Sequence, residues 1–191
     1  MSDTATTLSP IDEALAALAP TFSGSMQPKT QDGIPIVRVP RDQIIPFLVA
    51  VRDDAKLRFR LLLDVTALDY YGQPRDRFDV VYHLYSFESR TRLRVKTSCS
   101  ERDAVVPSAV PEFPTAGFLE REVYDMFGIR FDGNPDLRRI LMPEDYEHYP
   151  LRKDFPLEGI EPEKNYRKHG GVMMPRAPGA EPINGARSDT P

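Results

Sequence analysis

Apolar and polar residues alternate most regularly between positions 57 and 67. Leu57, Phe59, Leu61, Leu63, Val65 and Ala67 take every second place, with Arg58, Arg60, Asp64 and Thr66 between them. That is the period of a half-buried strand. A turn at Gly72–Gln73–Pro74 leads to residues 78–87, whose apolar side chains fall on both parities and predict a strand central in its sheet. Residues 88–91 turn the chain again into Leu93, Val95 and Thr97, opposed by Arg92, Arg94 and Lys96, which gives a third strand with a solvated basic face. Upstream, Ser9 as N-cap, Pro10 at the first helical position and acids in the first turn predict a short helix over 9–19. Residues 34–39 alternate as a strand, and Pro40 then opens a helix over 41–53. Downstream, Leu119, Val123, Met126 and Phe127 form the apolar stripe of a helix over 115–127, with Gly128 as its stop. On that helix Arg121 and Asp125 are spaced to pair along the surface, while Glu120 and Glu122 face different sides. Short connections after a strand–helix start predict an α+β fold, a mixed or antiparallel sheet with helices packed on one side.

The pattern divides the chain into an N-terminal helix and linker over 1–29, an α+β domain over 30–130, and an extended docking segment over 131–160. A tail over 161–191, flexible or laid on a partner, completes it. The third region is turn-rich and aperiodic, dense in Pro and charge, and the tail has linker composition. Nine of the twenty residues from Glu120 to Arg139 are charged, and Arg138–Arg139 and Arg152–Lys153–Asp154 bracket an apolar Ile140–Leu141–Met142. A solvated loop would look like this. So would an extended segment whose arginines make bidentate pairs with a partner's carboxylates while its apolar residues fill the partner's grooves.

The chain has 191 residues, 25 Lys and Arg against 29 Asp and Glu, a net charge of −4, and one Cys. This balance offers no general attraction to phosphate backbones or anionic lipid, so a nucleic-acid partner is not expected and membrane association would come through a partner. The longest near-continuous apolar run, 44–51, is interrupted by Pro46 and is far short of a membrane span. The first residues lack a basic start and an apolar stretch of the signal-peptide kind.

Candidate chemistry is thin. There is no GxGxxG and no GxxxxGK[ST] to cradle a dinucleotide or a nucleoside triphosphate. One Cys cannot hold an iron–sulfur cluster, and no His can be set beside Cys99 as a base, so a small semi-buried side chain is its plainer reading. Asp132, Asn134 and Asp136 imitate the opening of a calcium loop, but Leu137 and Pro143 occupy the places that need Gly and Glu. Glu144, Asp145, Glu147 and His148 could gather a metal, although clustered loop charges are usually solvated. His83, inside a two-sided apolar strand, reads as a satisfied core histidine.

The motif residues carry a resemblance. The run 120–129, EREVYDMFGI, then Phe131, Gly133, Pro135–Asp136–Leu137–Arg138–Arg139–Ile140–Leu141, and finally Pro150–Leu151–Arg152–Lys153–Asp154–Phe155–Pro156 resemble the signature of the C subunit, or 30 kDa subunit family, of NADH-quinone oxidoreductase, respiratory complex I. The resemblance implies a hydrophilic peripheral-arm subunit of a proton-translocating complex. It would scaffold the quinone-reducing subunit and the terminal iron–sulfur subunits without a redox centre of its own. Catalytic, cofactor and metal residues are then expected to be none in this chain, with FMN, iron–sulfur clusters and quinone held by partner subunits. The signature residues expected at the subunit interface are Glu120, Arg121, Glu122, Tyr124, Asp125, Asp136, Arg138, Arg139, Ile140, Leu141, Arg152, Lys153 and Asp154. The implied location is peripheral, on the cytoplasmic side of the inner membrane, or the matrix side if mitochondrial. A related module of membrane-bound nickel–iron hydrogenases is the nearest alternative, and a stand-alone soluble enzyme the second. The family often has His before Pro135 and before Pro150, where this chain has Asn134 and Tyr149, which points those positions to packing rather than proton transfer.

Overall fold

A computed structural model describes residues 9–160 in full, together with the backbone of two strands at 166–169 and 172–175. The chain divides into two compact units, Met1–Pro156 and Leu157–Pro191.

In the first unit, helix α1 (Pro10–Leu18) starts with a complete capping box, Ser9 accepting from the Asp12 amide while Asp12 accepts from the Ser9 amide. A 3-10 turn, Ala19–Phe22, brings the chain into strands β1 (Ser25–Gln27) and β2 (Ile36–Arg38). The helix expected after Pro40 begins as a 3-10 turn, Arg41–Gln43, and becomes α2 (Ile44–Asp53), with Ile44, Phe47, Leu48 and Val51 buried. Pro46 is tolerated there because a first-turn residue needs no intrahelical N–H partner. Strands β3 (Leu61–Asp69), β4 (Phe78–Ser86) and β5 (Thr91–Cys99) follow. Then come β6 (Val105–Pro107), α3 (Ala116–Phe127) and β7 (Arg130–Asp132), with β6 and β7 paired in parallel.

The main sheet has the order β1-β2-β5-β4-β3. Only the β2–β5 pairing is parallel, so the sheet is mixed. β4 is an inner strand and is buried on both faces over Phe78–Tyr82, as its pattern predicts. One contiguous core joins Leu15 of α1, Phe47 and Leu48 of α2, and Val123 and Met126 of α3 to the inward rows of the sheet, including Val65, Val80, Tyr82, Leu93 and Val95. The helices therefore share one side.

The alternation at 57–67 overshoots the strand. Leu57 and Phe59 are fully buried but precede β3, and a bulge between Leu62 and Asp64 shifts the register. Leu62 is buried and Leu63 is 42% exposed, the reverse of the expected parity, while Val65 and Ala67 regain the inward row. His83 is also corrected: it lies outside the core cluster, half-buried and opposite Asp64 and Arg94. Burial, followed by the Arg94 charge, pushes its imidazole below the ordinary value.

In the second unit, β8 (Tyr166–His169) and β9 (Val172–Pro175) form an antiparallel pair. The expectation of a flexible or partner-bound tail falls largely on residues outside those described.

Candidate functional site

Helix α3 is the stem of the site, and residues 133–156 form an irregular strap against it. Gly128 ends the helix at φ 75°, the left-handed value that favours glycine. The strap returns over this point. A Cβ at Gly128 would come within 2.6 Å of Arg152 Nη2 and 2.7 Å of the Tyr149 ring, so only glycine lets the strap lie this close.

Asp125 is the main latch. Its carboxylate is fully buried, and Oδ2 accepts from the backbone amides of Ile140 (3.0 Å), Leu141 (2.7 Å) and Met142 (2.8 Å). Oδ1 accepts from Arg139 Nη1 at 2.6 Å. Arg139 also reaches the carbonyls of Asp125 and His148 and lies over the rings of Tyr146 and Tyr149. Burial opposes the charge on Asp125, but the Met142 amide, the Arg139 guanidinium and the other two amides outweigh it and hold the carboxyl below the ordinary range. This is the chemistry of an anion nest with the anion supplied by the helix.

Arg121 donates to the carbonyls of Arg138 (3.2 Å) and Arg139 (3.1 Å) from the next turn and lies 3.6 Å from Asp136. The expected surface pair between Arg121 and Asp125 is thus replaced: both side chains are buried, and each binds the strap. Glu120, fully buried, joins three segments by accepting from Ser108 Oγ (2.7 Å), the Ala109 amide (2.7 Å) and Asn134 Nδ2 (2.8 Å). Burial raises its carboxyl above the ordinary value, and these three donors only partly offset that.

The far end of the strap is held by a second ionic knot. Arg77 lies between Asp69 (3.0 Å) and Asp154 (2.6 Å) and also meets Glu101. Asp69 Oδ2 in addition accepts from the Lys153 amide at 2.9 Å. Burial opposes the Asp69 charge, but Arg77 and that amide bring its carboxyl below the ordinary range. Arg152 Nε donates to the Phe127 carbonyl at 2.6 Å and stacks on Tyr149 and Phe78. In the chain by itself, Arg139 and Arg152 are spent on internal bonds instead of standing free. Glu122, Asp136, Arg138, Ile140, Leu141 and Lys153 are exposed, and Tyr124 is half-buried.

Asp69, Arg77 and Ser108 as anchors were missed by sequence reasoning, whereas Asn134, read as a packing position, is an anchor to Glu120. The register of the β3–β4 hairpin, with Asp69 opposite Phe78, was a usable signal for the Asp69–Arg77 pair. Cys99 is buried, and burial pushes its thiol up to about 12, so it is a packing residue and not a poised nucleophile. Among the described residues no three His, Cys, Asp or Glu side chains converge as metal ligands, including those at 144–148.

The same residues 120–156 fall inside the match to a known family. The profile of the respiratory-chain NADH dehydrogenase 30 kDa subunit matches residues 37–161. The chain belongs to that family. The C subunit of NADH-quinone oxidoreductase from Trichlorobacter lovleyi is 46% identical over 149 residues, which cover 78% of this chain and 91% of the relative. The corresponding C subunit of Caulobacter vibrioides is 52% identical over 116 residues, 61% of this chain and 58% of that longer relative. Among solved structures, a trypsin-resistant fragment of Nqo5 superposes with a TM-score of 0.57 at 32% identity, covering 65% of this chain and 98% of the fragment. A chain in the membrane-bound sulfane sulfur reductase, an archaeal respiratory membrane complex, gives 0.64 at 29% identity, covering 76% of this chain and 85% of that one. The resemblance to the 30 kDa family of complex I read from the sequence therefore stands.

Proposed function

We propose that the chain is a non-catalytic scaffold of the peripheral arm of NADH-quinone oxidoreductase, with the redox centres in neighbouring subunits. The observation that carries this is the form of the strap. Its buried ions fix the shape of the family signature, while Leu141 (63% exposed), Leu151 (54%) and Ile140 (38%) remain in solvent, with Phe118 (67%) on α3. Exposed apolar side chains on a rigid frame suit burial against another protein. The thirteen signature residues then divide by task. Glu120, Arg121, Asp125, Arg139, Arg152 and Asp154 shape the strap, and Glu122, Tyr124, Asp136, Arg138, Ile140, Leu141 and Lys153 present its outer surface. The partners would be the quinone-site subunit and the terminal iron–sulfur subunits, with FMN, clusters and quinone in them. Among the described residues no helix is long and apolar enough to cross a membrane. Membrane contact would come through the complex, on its cytoplasmic or matrix side.

The test is replacement of the native subunit by tagged wild-type, Phe118→Asp or Leu141→Asp chains. Wild-type chain should travel with NADH–quinone reductase activity on native gels. Each Asp variant should lower incorporation by about tenfold, the effect of losing roughly 1–2 kcal/mol of apolar burial. Activity per assembled complex should be unchanged. Reduced turnover in fully assembled complex would assign a catalytic role instead. A second reading, membership of a different respiratory membrane complex, has the sulfane sulfur reductase superposition in its favour. It predicts that the tagged chain carries away hydrogenase or sulfur reductase activity in place of NADH oxidation.

A further inference from the structure

The sheet face away from the helices is built differently from an ordinary solvated face. Ile36 (3% exposed) and Val81 (2%) are buried there, yet neither belongs to the core cluster. Register places Lys96 beside Val81 and Arg38, and Arg94 beside His83 and Ile36, so long cationic side chains flank the two apolar residues. Arg92, Arg94 and Lys96 point to this face from alternate positions of β5, a repeat of roughly 6.6–6.8 Å.

The charges on this face are unevenly matched. Arg38 and Arg75 both bind Asp79. Arg94 binds Asp32, an acid delivered by the loop before β2, whose carboxyl is held at about 2 by the Thr30 hydroxyl, the Ile34 amide and Arg94. Among the described residues, no carboxylate lies within 4.0 Å of Arg90, Arg92 or Lys96. Burial, with Arg38, Arg94 and Arg75 nearby, pushes the Lys96 ammonium below its ordinary value despite Asp79. At the hairpin end the face opens into a groove of about 480 Å³ between Asp32, Ile34 and Pro35 on one side and Tyr85, Arg90 and Arg92 on the other. Tyr85 packs edge-on against Phe87, which is 63% exposed.

We propose that this basic row and groove dock an extended acidic segment of a neighbouring subunit in the complex. The inference rests on reading the chain as part of a larger complex and concerns a face separate from the strap. An extended segment repeats its side chains at the same spacing as β5, so carboxylates four residues apart, two repeats of the row, fall over Arg92 and Lys96 on either side of the Asp32-bound Arg94. Asp32 already shows an acid seated on the middle member of the row. The groove takes an apolar side chain beside Tyr85 and Phe87.

The test compares the free full chain with the purified assembled complex. Lysine acetylation by N-hydroxysuccinimidyl acetate, read by mass spectrometry, should modify Lys96 in the free chain and be suppressed about tenfold or more in the complex. A photo-crosslinking residue in place of Arg92 should join a peptide of another subunit rich in Asp or Glu. The Arg92→Glu/Lys96→Glu chain should assemble about tenfold less well at physiological ionic strength, with an unchanged melting curve alone. Should that double variant fail to fold, the acetylation and crosslinking of otherwise native chains still decide. Equal Lys96 reactivity in both states, or crosslinks only to lipid or water, overturns the sheet-face inference while leaving the subunit reading intact. If the wild-type chain does not travel with the complex at all, both fall.

Discussion

Arg139→Ala removes one half of a buried ion pair. The Arg139 side chain is 9% exposed and its partner Asp125 fully buried, with 2.6 Å between Nη1 and Oδ1. Breaking such a pair by truncating one side costs about 3–5 kcal/mol where the remaining charge is left uncompensated. Asp125 is not left bare, because three backbone amides still reach Oδ2. Each such charge-assisted bond is worth about 1.5–3 kcal/mol, so the loss should fall toward about 2–3 kcal/mol. For a chain of this size that is about 4–12 °C in melting temperature. The assay is urea unfolding of the isolated full chain at pH 7, with Arg139→Lys beside it. The Lys variant should recover part of the loss, since an ammonium can pair with Oδ1 but cannot also hold the carbonyls of Asp125 and His148. A midpoint unchanged in Arg139→Ala would refute the latch and return the arginine to a role met only in the complex.

Gly128→Ala should cost about 1–2 kcal/mol for the left-handed backbone alone, and more because its Cβ collides with Tyr149, so the same unfolding assay should show a loss above about 2 kcal/mol. Glu120 has a raised carboxyl, so its contribution is full below its unfolded value near about 4.3 and is lost as pH rises through the folded value. Glu120→Gln should therefore flatten the fall in stability over the first units above about pH 4, and an unchanged slope would count against the buried charge. Asp125 has the opposite sign. Its contribution is present above about pH 3.9 and lost as pH falls through a lower folded value, so Asp125→Asn should lose its disadvantage in strong acid. Cys99, with its thiol pushed up to about 12, should react with iodoacetamide at about pH 8 only in denaturant, and fast native labelling would show that the β5 end opens.

The elements that could be read from the sequence are those whose periodicity comes from one buried face. Helix α3 is the clearest case: Val123, Met126 and Phe127 pack inward, and Gly128 stops it in the expected place. β4 reads correctly because a central strand is buried on both sides. The 57–67 pattern misleads at Leu61–Leu63 because a bulge consumes one residue without leaving any mark in polarity. The parallel entry of β2 beside β5 was equally hidden, since it depends on pairing between distant residues. In the site, polarity was read as exposure. Glu120, Arg121 and Asp125 are charged and buried; Arg121 and Asp125 bind largely backbone groups of a strap that has no period of its own, and Glu120 ties Ser108 and Ala109 to Asn134. A sequence pattern records which side chains are polar, not which carbonyls and amides fold back to meet them.

The latches also bear on why a scaffold would bury charge at all. The aperiodic stretch 133–156 packs Leu137, Met142 and Tyr146 inward but leaves Ile140, Leu141 and Leu151 exposed, and fixing each residue's backbone costs about 1–2 kcal/mol. A free strap would have to meet that cost at the moment of docking, which lowers affinity. Here Asp125, Arg121, Arg77 and Arg152 hold the strap at successive points before any partner arrives. Under the scaffolding proposal, the ordering cost is then carried by folding, and Leu141 and Leu151 meet the partner already placed. Charge-assisted hydrogen bonds are suited to this because they depend on direction. An apolar strap could slide in register, whereas three amides converging on one carboxylate allow only one alignment. Loosening the latch should accordingly slow association more than it speeds dissociation, since the docked strap would be held by its partner while the free one would not. Arg139→Ala in the full chain separates the two by the rate of its incorporation into depleted complex against its rate of exchange out of assembled complex. An equal effect on both rates would mean that the latch acts on the interface itself and not on the readiness of the strap.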